Sequence, residues 1–122
     1  MSVHNVSPIK PKATGFGYKV YKVLDGGKLE SSFMEFPMPR RTWVKAEVEA
    51  GMHQAGFHIY LQREKAEQNV LWHERLWSKN TNAPIYKVFK VKYREAKIQG
   101  IGDGGYTDNA RVVVADEIFV IY

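Results

Sequence analysis

The chain contains no cysteine, which removes disulfides, thiolate catalysis, iron–sulfur clusters and cysteine-type zinc sites. No apolar run approaches the roughly 20 residues that a membrane helix needs, so no membrane association is expected. The opening Met1-Ser2-Val3-His4-Asn5-Val6-Ser7 has neither the charged nor the apolar part of a secretory signal. A soluble cytoplasmic protein is therefore the expectation. His53, His58 and His73 do not have the spacing of a metalloprotease helix, and no carboxylate completes a zinc set, so no metal site and no cofactor are expected. The loop Gly100-Ile101-Gly102-Asp103-Gly104-Gly105 lacks the Lys-Ser/Thr of a P-loop, and no helix follows it. It reads either as a plain hairpin loop or as a nest of backbone amides for phosphate.

What is present is basic and aromatic. The 122 residues carry a formal net charge of +5, with 18 Lys and Arg against 13 Asp and Glu. This balance favours an anionic partner. Two segments nearly repeat: Tyr18-Lys19-Val20-Tyr21-Lys22-Val23 and Tyr86-Lys87-Val88-Phe89-Lys90-Val91. Both have strand composition. Their lysines recur every third residue, whereas strand side chains alternate every second one. Lys19 and Lys22 must therefore leave the sheet on opposite faces, as must Lys87 and Lys90, and the segments are expected to be two strands of one sheet.

Residues 1–14, with Pro8, Pro11, Lys10 and Lys12, read as a flexible arm before a single domain over 15–122. A strand over about 17–24 should turn at Asp25-Gly26-Gly27-Lys28 into a second at 28–33, because glycine tolerates the positive φ of tight turns. Residues 43–50 suit a half-buried strand or a helix equally. Phe57-His58-Ile59-Tyr60-Leu61 is a short apolar strand. The best helix is 63–79, with Ala66, Val70, His73 and Trp77 on one face, flanked by Leu76. In the strand from Ile85, the face of Ile85, Phe89, Val91 and Tyr93 is apolar apart from Lys87, and the other turns basic at Lys90, Lys92 and Arg94. Residues 111–122 are apolar on both faces and read as a central strand. The order implies an α+β domain: a mostly antiparallel, twisted sheet of about five to six strands with one main helix packed on it.

Candidate ligand-binding residues follow from charge and stacking. Arg40, Arg41, Trp43 and Lys45 form the densest basic and aromatic cluster outside the strands. Guanidinium binds phosphate bidentately and indole stacks on bases; the alternative is a solvated loop with Trp43 in the core. Lys90, Lys92 and Arg94 give a basic strand face. His58 reads as a structural histidine or as a ribose contact or proton carrier, and His73 as a core histidine. Tyr18, Tyr21, Tyr86 and Tyr93 are able to stack bases, but most are expected to pack against the helix.

Gly15-Phe16-Gly17-Tyr18-Lys19-Val20, Ser32-Phe33-Met34, Gly56-Phe57-His58 followed by Ala66, and Val112-Val113-Val114-Ala115-Asp116-Glu117-Ile118 resemble small uncharacterised proteins of bacteriophages and prophages. The resemblance implies a viral protein with a host-takeover or anti-defence role in the host cytoplasm, as an inhibitor of a host protein or a trap for a nucleotide signal. More distantly the chain is similar to ADP-ribosyltransferase-like folds. That similarity would give Tyr18 or Lys19 the ribose position, His58 or Tyr60 the second position and Glu117 the catalytic glutamate, although the first strand lacks the usual Arg or His. The functions expected are thus a non-enzymatic binding protein for a host protein or an anionic nucleotide, an ADP-ribosyltransferase-like enzyme using Glu117, or a DNA- or RNA-binding accessory protein. A homo-oligomer through a free strand edge or Tyr122 stays open.

Overall fold

The computed structural model describes residues 3–4, 6–31, 37–46, 56–77, 82–102 and 110–122. Eight strands and one helix are present among them: β1 (Val3–His4), β2 (Gly15–Val23), β3 (Leu29–Ser31), β4 (Pro37–Met38), β5 (Trp43–Lys45), β6 (Phe57–Tyr60), α1 (Arg63–Leu76), β7 (Ile85–Gly102) and β8 (Ala110–Val120). The class is the α+β arrangement expected, and the strand number exceeds five to six because four pairing segments have only two or three residues. Trp43–Lys45 resolves as strand; residues 32–33, 47–50, 51–55, 78–79 and 103–109 lie outside the described residues, and with them His53 and half of the glycine loop, whose first three residues, 100–102, are the end of β7 rather than loop.

The two repeated segments are neighbours. Tyr18 pairs with Lys90, Lys19 with Phe89, Tyr21 with Lys87 and Lys22 with Tyr86 in one antiparallel ladder of β2 on β7. The sheet runs β1-β7-β8-β6-β2-β3-β4, with β5 on the edge of β8. The β2–β7 ladder then joins the middle of that path to itself, so β2, β7, β8 and β6 form a ring. Closure needs a bend. It occurs in β7, where the register against β8 slips between Ala96 and Ile98 and Glu95 takes a positive φ of 57°, the geometry of a β-bulge. The ring is thinnest at β2–β6, a single bridge from Tyr18 to Tyr60. Beyond it, Lys19 Nζ donates to the His58 carbonyl at 2.8 Å, so a side-chain ammonium takes the place of the next ladder bonds.

Two apolar clusters follow from this ring. Inside it lie Tyr21, Ile59, Phe89, Val91, Tyr93 and Ile118, with Tyr21 and Phe89 rings 5.9 Å apart. Outside it, Val20, Tyr60, Tyr86, Val112 and Val114 meet Ala66 of α1. The strand β8 separates the two, which explains why Val112, Val113, Val114 and Ala115 are all fully buried and why its sequence is apolar on both faces. Alternation places Tyr18 and Tyr86 under the helix, as expected, but Tyr21 and Tyr93 inside the ring. Half of the tyrosines therefore do not pack on the helix.

The helix begins after Gln62, whose carbonyl accepts from Lys65 and Ala66, and carries an exposed Arg63–Glu67 pair at 3.1 Å one turn apart. Its buried positions are Ala66, Asn69 and His73. His73 stacks on Tyr86, the ring centroids 4.0 Å apart and the planes nearly parallel; desolvation, with Lys22 nearby, pushes its pKa down. It is the core histidine expected. Leu76 and Trp77 are instead exposed. The apolar stripe ends at His73 because the helix stops at Leu76, and the Trp77 amide closes on the His73 carbonyl at 3.2 Å. The turn at Asp25-Gly26-Gly27-Lys28 forms as expected, with both glycines at φ 79°.

Candidate functional site

Strand alternation divides the outer wall of the ring. Tyr18, Val20, Tyr86 and Val88 lie with α1. Further along the same faces of β2 and β7 stand Phe16, Lys90, Lys92 and Arg94, outside both apolar clusters. The register continues this wall over β8 and β5: Phe16 pairs with Lys92, Lys92 with Phe119, and Phe119 with Trp43. One row of side chains thus crosses four strands. The next row holds Arg94, Glu117 and Lys45.

Each of the three β7 cations on this wall rests on a ring from another strand. Arg94 lies 4.0 Å from the centroid of Trp43, Lys92 5.4 Å from Phe119 and Lys90 5.2 Å from Phe16. Trp43 and Phe119 are tilted against each other at 5.6 Å. Phe16 is 57% exposed, and the Arg94 side chain 42%. The surface is aromatic and positively charged, and α1 leaves it open.

Glu117 faces Arg94 across the β7–β8 ladder and accepts from its Nε and Nη2, both at 3.0 Å. These bonds, with Lys45 close by, hold its carboxyl below the usual range. The bidentate pair fixes the plane of the guanidinium while Trp43 flanks it.

The other expected residues go elsewhere. Arg40 lies over Phe89, 5.2 Å from the centroid, and Phe89 belongs to the inner core, so Arg40 sits apart from the outer wall. Arg41 has φ 53°, is exposed, and donates its amide to the Val120 carbonyl at 3.0 Å. The loop cluster is therefore split, with Trp43 and Lys45 joining the β7 cations. Trp43 is half-buried on the outer wall rather than in the core. His58 stands on β6 opposite Val114. Its Nδ1 lies 3.3 Å from the Gly56 carbonyl, and burial, with Lys19 near, lowers its pKa to about 4. Tyr18 is flanked by Arg63 of α1 at 6.0 Å. His58 and Glu117 are not brought together: their β8 positions, Val114 and Glu117, are three residues apart, about 10 Å along a strand. Among the described residues no three His, Asp or Glu side chains group to hold a metal, and no helix is long and apolar enough to cross a membrane.

Phe16 and Phe119 were missed as site residues in the sequence. No basic cluster in the sequence includes either, and only the pairing register reveals that they bracket Lys92.

Fold and site together define a small α+β domain with a closed antiparallel ring, a helix over one part of its wall and a cation-bearing aromatic row on another. Compared with known proteins, the chain matches no family model, no curated protein and no solved structure.

Proposed function

We propose that the protein is a non-enzymatic binding protein that captures a phosphate-bearing nucleotide ligand on the wall formed by β2, β7, β8 and β5. The observation that carries this reading is the alternation of cations and rings in one partly exposed patch: Lys90, Lys92 and Arg94 against Phe16, Phe119 and Trp43. A nucleotide offers the two matching chemistries, an anion for Lys and Arg and a flat ring for stacking. A trap of this kind accords with the host-takeover or anti-defence role implied by the resemblance to bacteriophage proteins. The ADP-ribosyltransferase-like alternative gains nothing from the geometry, since Glu117 is engaged by Arg94 and stands apart from His58.

A thermal-shift screen over mononucleotides, cyclic nucleotides, ADP-ribose and short oligonucleotides tests the reading. A ligand at about 100 times its Kd adds roughly 2.7 kcal/mol to stability by mass action, which for a domain of this size raises Tm by several degrees. If no nucleotide of any kind shifts Tm, the reading is wrong and a protein target replaces it.

A further inference from the structure

We infer that the occupant of this wall is a short single strand of nucleic acid that runs across the sheet strands, with successive bases stacking on Phe16, Phe119 and Trp43. The inference rests on the nucleotide-binding reading above and specifies its substrate.

Size argues first. The row Phe16–Lys92–Phe119–Trp43 steps over four neighbouring strands. Strands lie about 4.8 Å apart, so the row is about 14 Å long. A single nucleotide has one base and uses one of the three rings. A chain of a few nucleotides presents several bases over that length.

Charge argues next. Lys90, Lys92 and Arg94 emerge at alternate positions of one strand, so they form a line that crosses the row and tracks β7. Lys45 stands at the Glu117 position of the neighbouring ladder. Glu117 is paired with Arg94, and the Glu95 carboxylate lies beside that pair. The remaining ammonium groups have backbone phosphates as their complement.

Shape excludes a duplex. The recognising groups are ring faces on a sheet, among the described residues no helix or ribbon rises from this wall to enter a groove, and ring faces are useful only where bases are unstacked. A duplex would touch the cations and leave the rings unused. Sequence selectivity is not built into such contacts, because every base has a π-face.

In the unbound protein a cation rests on each ring. Lys90 and Lys92 cover Phe16 and Phe119, and a strand that brings phosphates draws these two cations outward and exposes the rings for stacking, Phe119 being in contact with Trp43, while Arg94 stays with Glu117. Binding should therefore change the environment of Trp43.

Fluorescence anisotropy with labelled thymidine oligonucleotides of one, two, four and eight residues, at roughly 50 mM salt, is the test. Affinity should rise at least about tenfold from one residue to four and then level off, with a change in tryptophan emission. Phe16→Ala, at an exposed position, and Trp43→Ala should each weaken the four-residue strand by about fivefold or more, with circular dichroism melting showing that Phe16→Ala is folded. Lys92→Ala should weaken it too. Binding of thymidine monophosphate as tight as that of the four-residue strand overturns the single-strand inference and leaves the nucleotide reading standing. Binding that ignores Phe16→Ala and Trp43→Ala, or a duplex bound as tightly as the single strand, also overturns it. No binding by any nucleotide or oligonucleotide removes both.

Discussion

Lys19 is a cation at the seam of the ring, where β2 and β6 part after one bridge, and its ammonium donates to the His58 carbonyl and lies 5.7 Å from the Tyr21 ring. Burial lowers its pKa from 10.5 to about 8. Between those values the unfolded chain binds more protons than the folded one, so stability rises with pH in that window. The full effect of one such group is at most about 3 kcal/mol. Tyr21 acts in the opposite sense, because burial raises its pKa. Above pH 10 the unfolded phenol ionises and the folded one resists, so stability falls again. His58 sets the acid side: burial holds it at about 4 instead of 6.5, and the stability of its neutral form is lost as pH falls from 6.5 towards 4. Urea midpoints measured from pH 4 to 11 should trace a rise up to pH 6.5, a plateau, a second rise above 8 and a fall beyond 10. Lys19→Met should erase the second rise, and His58→Gln should flatten part of the first. A wild-type midpoint that is constant from pH 8 to 10 contradicts the burial of the Lys19 amine.

Elements depend on two backbone positions that the wall and core cannot do without. A Cβ on Gly17 would stand 2.7 Å from the Tyr60 carbonyl oxygen and collide with the Ile59 side chain, where β6 passes across β2. Gly17→Ala should cost on the order of 2 kcal/mol, as overpacking does in a filled core, and lower Tm accordingly. Glu95 holds a left-handed conformation at the bend of β7. Glu95→Val should cost about 1–2 kcal/mol, since a β-branched residue tolerates positive φ poorly, whereas Glu95→Gly should not. Equal thermal melts for the two Glu95 variants would argue against the bulge. The sequence made much of this element level legible: alternation assigned the basic face of β7, the threefold lysine spacing put Lys19 and Lys22 on opposite faces, and double-sided hydrophobicity marked β8 as central. The ring closure was not legible, because it depends on one β2–β6 bridge and a bulge at a glutamate with no turn signature. The row through Phe16 and Phe119 was hidden for a related reason: it joins residues more than a hundred positions apart through the register of three ladders. The split of the Arg40–Lys45 cluster likewise follows from β5 pairing with β8, which turns Trp43 and Lys45 to the wall while Arg40 lies over Phe89.

For the whole molecule, a net charge of +5 draws anions to every face, so affinity alone does not locate a site. The dependence on salt does. Lys45, Lys90 and Lys92 are the wall's cations outside the Arg94–Glu117 pair, beside which Glu95 also lies, and each phosphate neutralised on a single strand contributes roughly −0.7 to the slope of log K against log salt. A wall that meets about three phosphates gives a slope near −2, equivalent to about a 20-fold loss between 50 and 200 mM salt. Changing Lys92 to Ala should make the slope shallower by about 0.7, while Lys28→Ala, on the β2–β3 turn and outside the wall, should leave it unchanged. Glu117→Gln should tighten binding and steepen the slope, because it removes the carboxylate that holds Arg94 bidentately and frees the guanidinium for phosphate. An ADP-ribosyltransferase would behave in the opposite way, losing its activity with that change. The salt series read by anisotropy on wild type and these three variants decides the matter: equal slopes for Lys92→Ala and Lys28→Ala would mean that the anion is held by the general charge of the molecule and not by the wall.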